Sequence, residues 1–308
     1  MYIGIELGGT KVIVAAGRSP DSLSPLIRLP TTDPQATLQR ILAAMRDLED
    51  RHGACTAIGV AAFGPLRLDA RAADYGSILD TPKTPWRDVN LLAPLRAAYL
   101  NVPLALDTDV NGAALAEARW GAGQGLDAFA YVTVGTGVGA GLFVHGRPVH
   151  GLLHPEAGHM LVRRDPGTDP FTGSCTWHRD CLEGLACGPS VEQRLGTKGE
   201  FVADDHPVWA QVGGYLGQLF HNLTVIAAPQ KIIVGGGVGL KLAVLESSRR
   251  AFLDHLGGYY RDIPDLVAAR GMIVPAALSD RAGVLGAIAL ADAAFAPPRR
   301  ELALERLS

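Results

Sequence analysis

The stretch YIGIELGGTKVIVAA (2–16) decides the fold, because it predicts two strands joined by a tight turn at Gly8-Gly9-Thr10. A similar pattern returns in FAYVTVGTGVGAGLFV (129–144), where GTGVGAG (135–141) separates two apolar stretches. A strand–glycine turn–strand unit therefore opens each half of the chain. Helical patterns and short apolar strands follow both units, which predicts an α/β protein of two lobes with a ligand cleft between them.

The boundary between the two lobes carries no obvious linker. We place it in the helix predicted over 111–120, so that residues 1–115 form an N-terminal lobe and residues 116–290 a C-terminal lobe. The last segment, 291–308, is expected to return to the first lobe. Further helices are predicted from Pro34 and over Val208–Ala227.

Composition limits the possible partners. The chain has 308 residues, 48% of them hydrophobic, which is enough for a large core. Its net charge is −3, so bulk attraction to nucleic acid or to an anionic membrane is not expected. The N-terminus does not have the pattern of a signal peptide, and the uncharged stretch 128–146 contains five glycines and predicts paired strands rather than a membrane helix. We expect a cytoplasmic protein.

Three glycine turns follow apolar strands: the two named above and IIVGGGVG (232–239). Glycines at such turns leave backbone N–H groups accessible to phosphate, and Thr10 and Lys11 add a hydroxyl and a cation. The GVGAG pattern lies between two strands rather than opening a helix, so it does not fit a Rossmann site, and the P-loop motif is missing from the sequence. Plain hairpin turns remain the alternative for each turn alone.

A carboxylate cluster, Asp107-Thr108-Asp109, ends a predicted strand, and Asn111 begins a helix. Carboxylates at the C-terminal end of a strand point into the cleft of an α/β protein, where Asp109 would serve as a general base. Alternatively, Asp107 or Asp109 is the N-cap of the helix, since Asp is a favoured cap.

Cys175, His178 and Cys181 form a C-x2-H-x2-C pattern in a turn-rich loop, with His159 upstream as a fourth donor. Two thiolates and two imidazoles suit tetrahedral Zn²⁺ and leave no position for a catalytic water, so the site would be structural. The alternatives are a loop of free thiols, with or without a disulfide, and a ligand set in which Cys187 replaces one donor.

Taken together, these motifs resemble the ROK family of sugar kinases, in particular its fructokinase branch, within the actin-like ATPase superfamily. The resemblance covers nearly the whole chain. It rests on IELGGTK (5–11), GVAAFGP (59–65), DTPKTPW (80–86), DTDVNGAALAE (107–117), VTVGTGVGAG (132–141), HPEAGH (154–159), GSCTWHRDCLEGLACGP (173–189) and IIVGGGV (232–238).

The resemblance implies the two-lobed actin-like (ribonuclease H-like) fold, ATP with Mg²⁺ on one wall of the cleft and a hexose at its base, with Asp109 as the catalytic base. The positions that match nucleotide-binding motifs are Gly8, Gly9, Thr10, Lys11, Gly135, Thr136, Gly137, Gly235, Gly236 and Gly237. The positions expected at the sugar are Gly64, Pro65, Thr108, Asp109, Glu156, His159 and Glu183. The expected zinc ligands are His159, Cys175, His178 and Cys181.

Three residues depart from common family patterns. Glu6 stands where many members have Asp, and Cys187 stands where a Ser is common. Thr108 replaces an Asn of glucokinase-like members and argues against a strict glucose pocket. The chain is therefore expected to phosphorylate fructose to fructose 6-phosphate. The alternatives are a kinase for mannose, glucose or an N-acetylated amino sugar, and a catalytically idle sugar sensor.

The family also includes repressors with an N-terminal helix-turn-helix. Because the first strand begins at Tyr2, we expect no such segment here. The expected partners are a hexose, ATP and a second copy of the chain in a homodimer, without nucleic acid or membrane.

Overall fold

Two five-stranded mixed sheets organise the molecule, whose computed structural model describes residues 1–295. The first sheet has the order β3-β2-β1-β4-β5 and the second the order β10-β9-β6-β7-β8. The strands are β1 (Tyr2–Leu7), β2 (Lys11–Gly17), β3 (Ile27–Pro30), β4 (Ala57–Ala62), β5 (Leu104–Thr108), β6 (Ala128–Val134), β7 (Val138–Val144), β8 (Arg147–Pro148), β9 (Lys231–Gly235) and β10 (Ile273–Pro275).

Each sheet begins with the hairpin predicted from the glycine turns. In the first hairpin, β1 and β2 are antiparallel, with Leu7 opposite Val12. In the second, β6 and β7 are antiparallel, with Val134 opposite Val138. The first strand of each hairpin also pairs in parallel with a buried strand, β1 with β4 and β6 with β9. The prediction of an α/β fold built from two related halves is confirmed.

Helices cover the sheets and connect the halves. They are α1 (Pro34–His52), α2 (Leu92–Ala98), α3 (Asp109–Trp120), α4 (Leu182–Ala186), α5 (Gly188–Leu195), α6 (Val208–Ala227), α7 (Leu242–Leu256), α8 (Leu266–Met272) and α9 (Ala282–Phe295). The start of α1 shows the local cause of such a boundary, because Pro34 fills the first helical position and Asp33 accepts a hydrogen bond from the Ala36 amide. Among the described residues, no helix is both long and apolar enough to cross a membrane.

The last described helix, α9, lies against the first sheet although it follows the second sheet in sequence. This packing is close because glycines face it: a Cβ on Gly59 in β4 would overlap the Ala287 carbonyl oxygen. In the same way, a Cβ on Gly286 of α9 would overlap the Gly112 carbonyl of α3. The predicted return of 291–308 falls partly on residues 296–308, which lie outside the described residues, and the lobe boundary itself stays a prediction.

Candidate functional site

The end of β5 places two carboxylates beside the start of α3. Asp107 is buried, and its Oδ1 accepts hydrogen bonds from the Thr108 amide at 2.7 Å and from the Asn111 side-chain amide at 2.8 Å. His150 Nε2 lies 3.0 Å from the other oxygen, Oδ2, and this hydrogen bond raises the pKa of His150. Asp107 is therefore fully engaged in holding local structure.

Neither Asp107 nor Asp109 is the N-cap of α3, although the sequence allowed either of them to take that role. The N-cap of α3 is Thr108, whose hydroxyl oxygen accepts the Asn111 amide at 3.2 Å. Asp109 is the first helical residue, and its Oδ1 accepts the neighbouring Val110 amide at 2.9 Å. Because Thr108 takes the capping role, the Asp109 carboxylate remains available for chemistry.

Burial changes the acidity of three carboxyl groups in the same region. Burial raises the pKa of Asp109 from 3.8 to about 6. The pKa of Glu6 rises to about 7, first through burial and then through the charge of Asp109. That of Glu156 also rises to about 7, through burial and then the charges of Glu183 and Asp109. Strand β1 thus supplies Glu6 and the start of α3 supplies Asp109, while the second half of the chain supplies Glu156 and Glu183, and the charges of these four carboxyl groups act on one another.

The first glycine turn is closed by its own backbone. The Gly8 amide donates to the Lys11 carbonyl oxygen at 2.9 Å, and the Thr31 hydroxyl donates to the Gly8 carbonyl oxygen at 2.8 Å. The side chains of Thr10 and Lys11 are exposed at this turn. Their exposure leaves a hydroxyl and an ammonium group free to meet a phosphate.

The second and third glycine turns meet at the start of α5. The Gly188 amide, in the first turn of α5, donates to the Gly135 carbonyl oxygen at 2.7 Å. A Cβ on Gly135 or on Gly237 would have no protein atom within 4 Å, so both glycines face open space. Gly236 has a φ of +81°, a conformation that favours glycine. Thr136, between Gly135 and Gly137 in the second turn, is exposed.

Glu183 connects the loop of the Cys/His cluster to the second glycine turn. Its Oε2 accepts the Val138 amide at 3.0 Å, and a Cβ on Gly137 would lie 2.7 Å from the same oxygen. Glu183 lies on α4, two residues after Cys181, which is the N-cap of that helix. The carboxylate predicted at the sugar therefore also fixes the turn predicted at the phosphates.

A loop of the first half reaches Glu156 through His154. The Leu66 amide donates to His154 Nε2 at 3.0 Å, and His154 Nδ1 lies 3.3 Å from a Glu156 carboxylate oxygen. Since Nε2 accepts, the proton of the neutral ring sits on Nδ1, on the side of Glu156. Burial lowers the pKa of His154, which keeps the ring neutral. The peptide bond between Gly64 and Pro65, in the same loop, is cis.

Sequence reasoning missed these two histidine contacts. No motif in the sequence assigns a contact to His150 or His154, yet His150 bonds the Asp107 carboxylate and His154 accepts the Leu66 amide, both far away in sequence. Position 154 begins the HPEAGH motif together with Glu156, and that closeness was the only available signal. His159 follows in the same motif, in a short 3₁₀ turn in which its amide donates to the Glu156 carbonyl oxygen.

The four predicted zinc ligands come together. His159 Nδ1 lies 3.7 Å from Cys175 Sγ and 3.6 Å from Cys181 Sγ, and His178 Nδ1 lies 3.8 Å from Cys175 Sγ. Tetrahedral zinc with bonds of 2.0–2.3 Å separates its ligand atoms by about 3.3–3.8 Å. Both thiols are free, and Cys187 instead contacts the Ser190 hydroxyl. The donor set and its spacing fit Zn²⁺ without Cys187.

The fit of Mg²⁺ rests on one orphaned atom. Glu6 Oε2 is buried and has no hydrogen-bond partner among the described residues. The nearby Asp109 carboxylate raises the pKa of Glu6, so two hard oxygen donors share one region. Mg²⁺ takes such donors while it keeps several of its waters. Glu6 and Asp109 are therefore suited to a hydrated Mg²⁺ that accompanies a nucleotide.

Comparison with known proteins gives one consistent result. The model of the ROK family matches residues 2–294. A fructokinase of Pediococcus pentosaceus is 40% identical, with 96% of this chain and 99% of the relative covered. A fructokinase of Zymomonas mobilis is 37% identical, with 96% and 97% covered. The solved structure of a ROK hexokinase from Thermus thermophilus superimposes with a TM-score of 0.74 at 26% identity, covering 95% of this chain and 98% of that one.

Proposed function

The chain belongs to the ROK family, and on this premise we propose that it transfers the γ-phosphoryl group of ATP to the 6-hydroxyl of fructose. The observation that carries the proposal is Asp109, a carboxylate at the end of β5 that no capping duty occupies and whose pKa burial raises to about 6. The relatives named fructokinase, at 37% and 40% identity over nearly full length, support fructose as the acceptor.

Asp109 acts as the general base. Within residues 1–295 its Oδ2 takes no side-chain hydrogen bond, so it is free to hold the acceptor hydroxyl and to take its proton. The sugar oxygen then forms its bond to the γ-phosphorus while the bond from that phosphorus to the β-bridging oxygen breaks, and ADP leaves. A base with a pKa near 6 is ionised at neutral pH and still accepts a proton readily.

The glycine turns hold the triphosphate. Gly9 and Thr10 offer backbone amides and a hydroxyl from the first hairpin, whose turn the Gly8 amide closes, and Lys11 adds a cation. Thr136 and Gly137 offer the same chemistry from the second hairpin, whose turn the Gly135 amide closes by donating to the Gly137 carbonyl oxygen at 2.9 Å, with the start of α5 behind them. The third turn, Gly235-Gly236-Gly237, lies beside the nucleoside. Mg²⁺, when bound near Glu6, neutralises charge on the phosphates.

The remaining predicted residues shape the sugar pocket. Glu156 lies beside His154, and its raised pKa of about 7 lets it either donate or accept a hydrogen bond near neutral pH. The loop of Gly64 and Pro65 is tied to the same histidine through the Leu66 amide. Thr108 fixes the start of α3, on which the base stands.

Structural zinc at His159, Cys175, His178 and Cys181 fixes the loop that precedes Glu183. Because Glu183 accepts the Val138 amide, an ordered loop supports the second glycine turn. His159 places a metal ligand three residues after Glu156 and so connects the metal to the sugar pocket.

The division into lobes 1–115 and 116–290, which close over the substrates and exclude water, belongs to the same proposal. So do the homodimer and the cytoplasmic location, and light scattering of the purified protein tests the dimer.

The proposed function is tested by measuring ADP release with a panel of hexoses and amino sugars. Fructose should give the highest kcat/KM, and the product should be fructose 6-phosphate, identified by enzymatic conversion to glucose 6-phosphate. A higher kcat/KM for glucose or N-acetylmannosamine overturns fructose but keeps the kinase. Sugar binding without ADP release by the zinc-loaded protein would mark a sensor.

A further inference from the structure

Lys83 lies over the first glycine turn although it is 74 residues away in sequence. A Cβ placed on Gly9 would lie 3.0 Å from Lys83 Cε and 4.0 Å from Lys83 Nζ. The lysine stem thus runs along the backbone of Gly9, and its ammonium group ends at the turn. We propose that Lys83 is a catalytic residue that binds the γ-phosphoryl group of ATP, an inference that rests on the proposed phosphoryl transfer.

The backbone at Lys83 is held in place by its neighbours. Pro82 and Pro85 flank it and restrict the chain on both sides. Trp86, which is buried, donates its indole N–H to the Thr32 carbonyl oxygen at 2.9 Å. The Trp86 amide in turn donates to the Lys83 carbonyl oxygen at 2.8 Å. The loop therefore delivers the ammonium group to a fixed place rather than leaving it on a mobile surface segment.

The charge of Lys83 has no protein partner. Within residues 1–295, its Nζ makes neither an ion pair nor a hydrogen bond, although the side chain is half-buried. By contrast, the ammonium group of Lys241, which is also half-buried, forms an ion pair with Asp204 at 2.9 Å. A positioned cation over a phosphate turn is matched to an anionic ligand.

Lys83 and Lys11 reach the turn from different parts of the fold. Lys11 begins β2. Its positive charge partly opposes the rise that burial causes in the pKa of Glu6, so Lys11 lies on the side of the turn that faces this carboxylate. Lys83 comes from the loop between β4 and α2 and lies against Gly9. In phosphoryl transfer, negative charge is spread over the equatorial oxygens of the transferred group, where cations stabilise it. Because the two lysines come from different segments, Lys83 can neutralise the charge on the transferred group while Lys11 lies on the side of Glu6, where Mg²⁺ would bind.

The test compares Lys83→Met, which keeps the length of the stem, with Lys83→Arg and with Lys198→Met. Lys198 is an exposed lysine, so it controls for the loss of one positive charge. In Lys83→Met, we expect kcat to fall by more than tenfold, on the order of 10², while the KM for fructose stays within threefold. Lys83→Arg should recover part of the loss, and Lys198→Met should equal wild type.

Nucleotide binding without sugar separates a phosphate contact from a structural role. The dissociation constant of MgATP should rise at least tenfold more than that of MgADP in Lys83→Met, with an unchanged melting temperature. A variant that keeps kcat within tenfold of wild type, or that weakens both nucleotides equally, overturns the proposal. If wild-type protein phosphorylates no hexose, the proposed function fails, whereas the MgATP and MgADP comparison still decides the role of Lys83.

Discussion

Replacing Asp109 with Asn removes a proton acceptor while it leaves the size of the side chain almost unchanged. The hydrogen bond that the carboxylate accepts from the Val110 amide at 2.9 Å is also available to an Asn oxygen. Because Thr108 is the cap of α3, the substitution does not disturb the start of the helix. General-base catalysis contributes on the order of 10²–10⁴ in rate. That range corresponds to about 3–5 kcal/mol of transition-state stabilisation.

We therefore expect Asp109→Asn to lower kcat at least a hundredfold in a coupled assay of ADP release, with little change in ATP affinity. The pH profile gives an independent measurement. Wild-type kcat/KM should fall tenfold per unit below pH 6 as the base becomes protonated, since its pKa is about 6. The variant should lack this limb of the profile.

Stability gives the sign of a further effect. The pKa of Asp109 is raised in the folded protein, so the folded state binds this proton more tightly than the unfolded state. Stability from this group is therefore present below pH 4 and is lost as the pH rises to about 6. Asn has no such proton to lose, so the stability of Asp109→Asn should not decrease over this pH range. Its melting temperature at pH 7.5 should equal or exceed that of wild type.

Asp265 is the matched control, because it is a true N-cap whose carboxylate accepts the Ala268 amide at 2.9 Å. Asp265→Asn should leave both kcat and melting temperature unchanged, since Asn caps as well as Asp. If folded Asp109→Asn kept more than a tenth of wild-type kcat with the same pH profile, the base would have to be another group.

Two further predictions concern the metal and the packing of α9. Elemental analysis should find about one zinc per chain. Cys175→Ser or Cys181→Ser should lose the metal, melt at a lower temperature and lose activity, whereas Cys187→Ser should keep the zinc. Active protein that contains no metal would contradict this prediction. Gly59→Ala should destabilise the fold by several kcal/mol in denaturant titration, because its Cβ would overlap α9. The control is Gly271→Ala, whose Cβ would meet no atom within 4 Å, and it should be neutral or stabilising by up to about 1 kcal/mol. Equal effects of the two substitutions would refute the packing argument.

Local patterns predicted much of the fold. The two hairpins, α1 and α6 follow from alternation, periodicity, proline and glycine, and the helix predicted over Val208–Ala227 has those bounds in the structure. The short helices α4 and α5 were missed, because glycine and cysteine give them weak local signals and tertiary contacts stabilise them. Strand β3 was also missed, since it is half exposed and lies at the edge of its sheet.

Parts of the candidate site that depend on spacing within one segment were predictable, and parts that depend on distant segments were not. The Cys/His cluster was recognised because three of its ligands lie within seven residues, Cys175 to Cys181. The contact between His154 and the Leu66 amide joins residues 88 positions apart, and no local pattern announces it. The choice of Thr108 as the cap was equally hidden, since its two aspartate neighbours are also good caps.

At the centre of the contact between α3 and α9, both helices present glycine. A Cβ on Gly286 of α9 would overlap the Gly112 carbonyl of α3, and a Cβ on Gly59 of β4 would overlap the Ala287 carbonyl oxygen. This central surface has few rotamers to rearrange, so a small sliding of one helix over the other breaks no interlocked side chains there, whereas the ion pair between Arg119 of α3 and Asp292 of α9 would have to follow the movement. The same surface tolerates almost no added atom. The contact therefore tolerates a small displacement of the helices but does not tolerate a larger residue at its glycine positions.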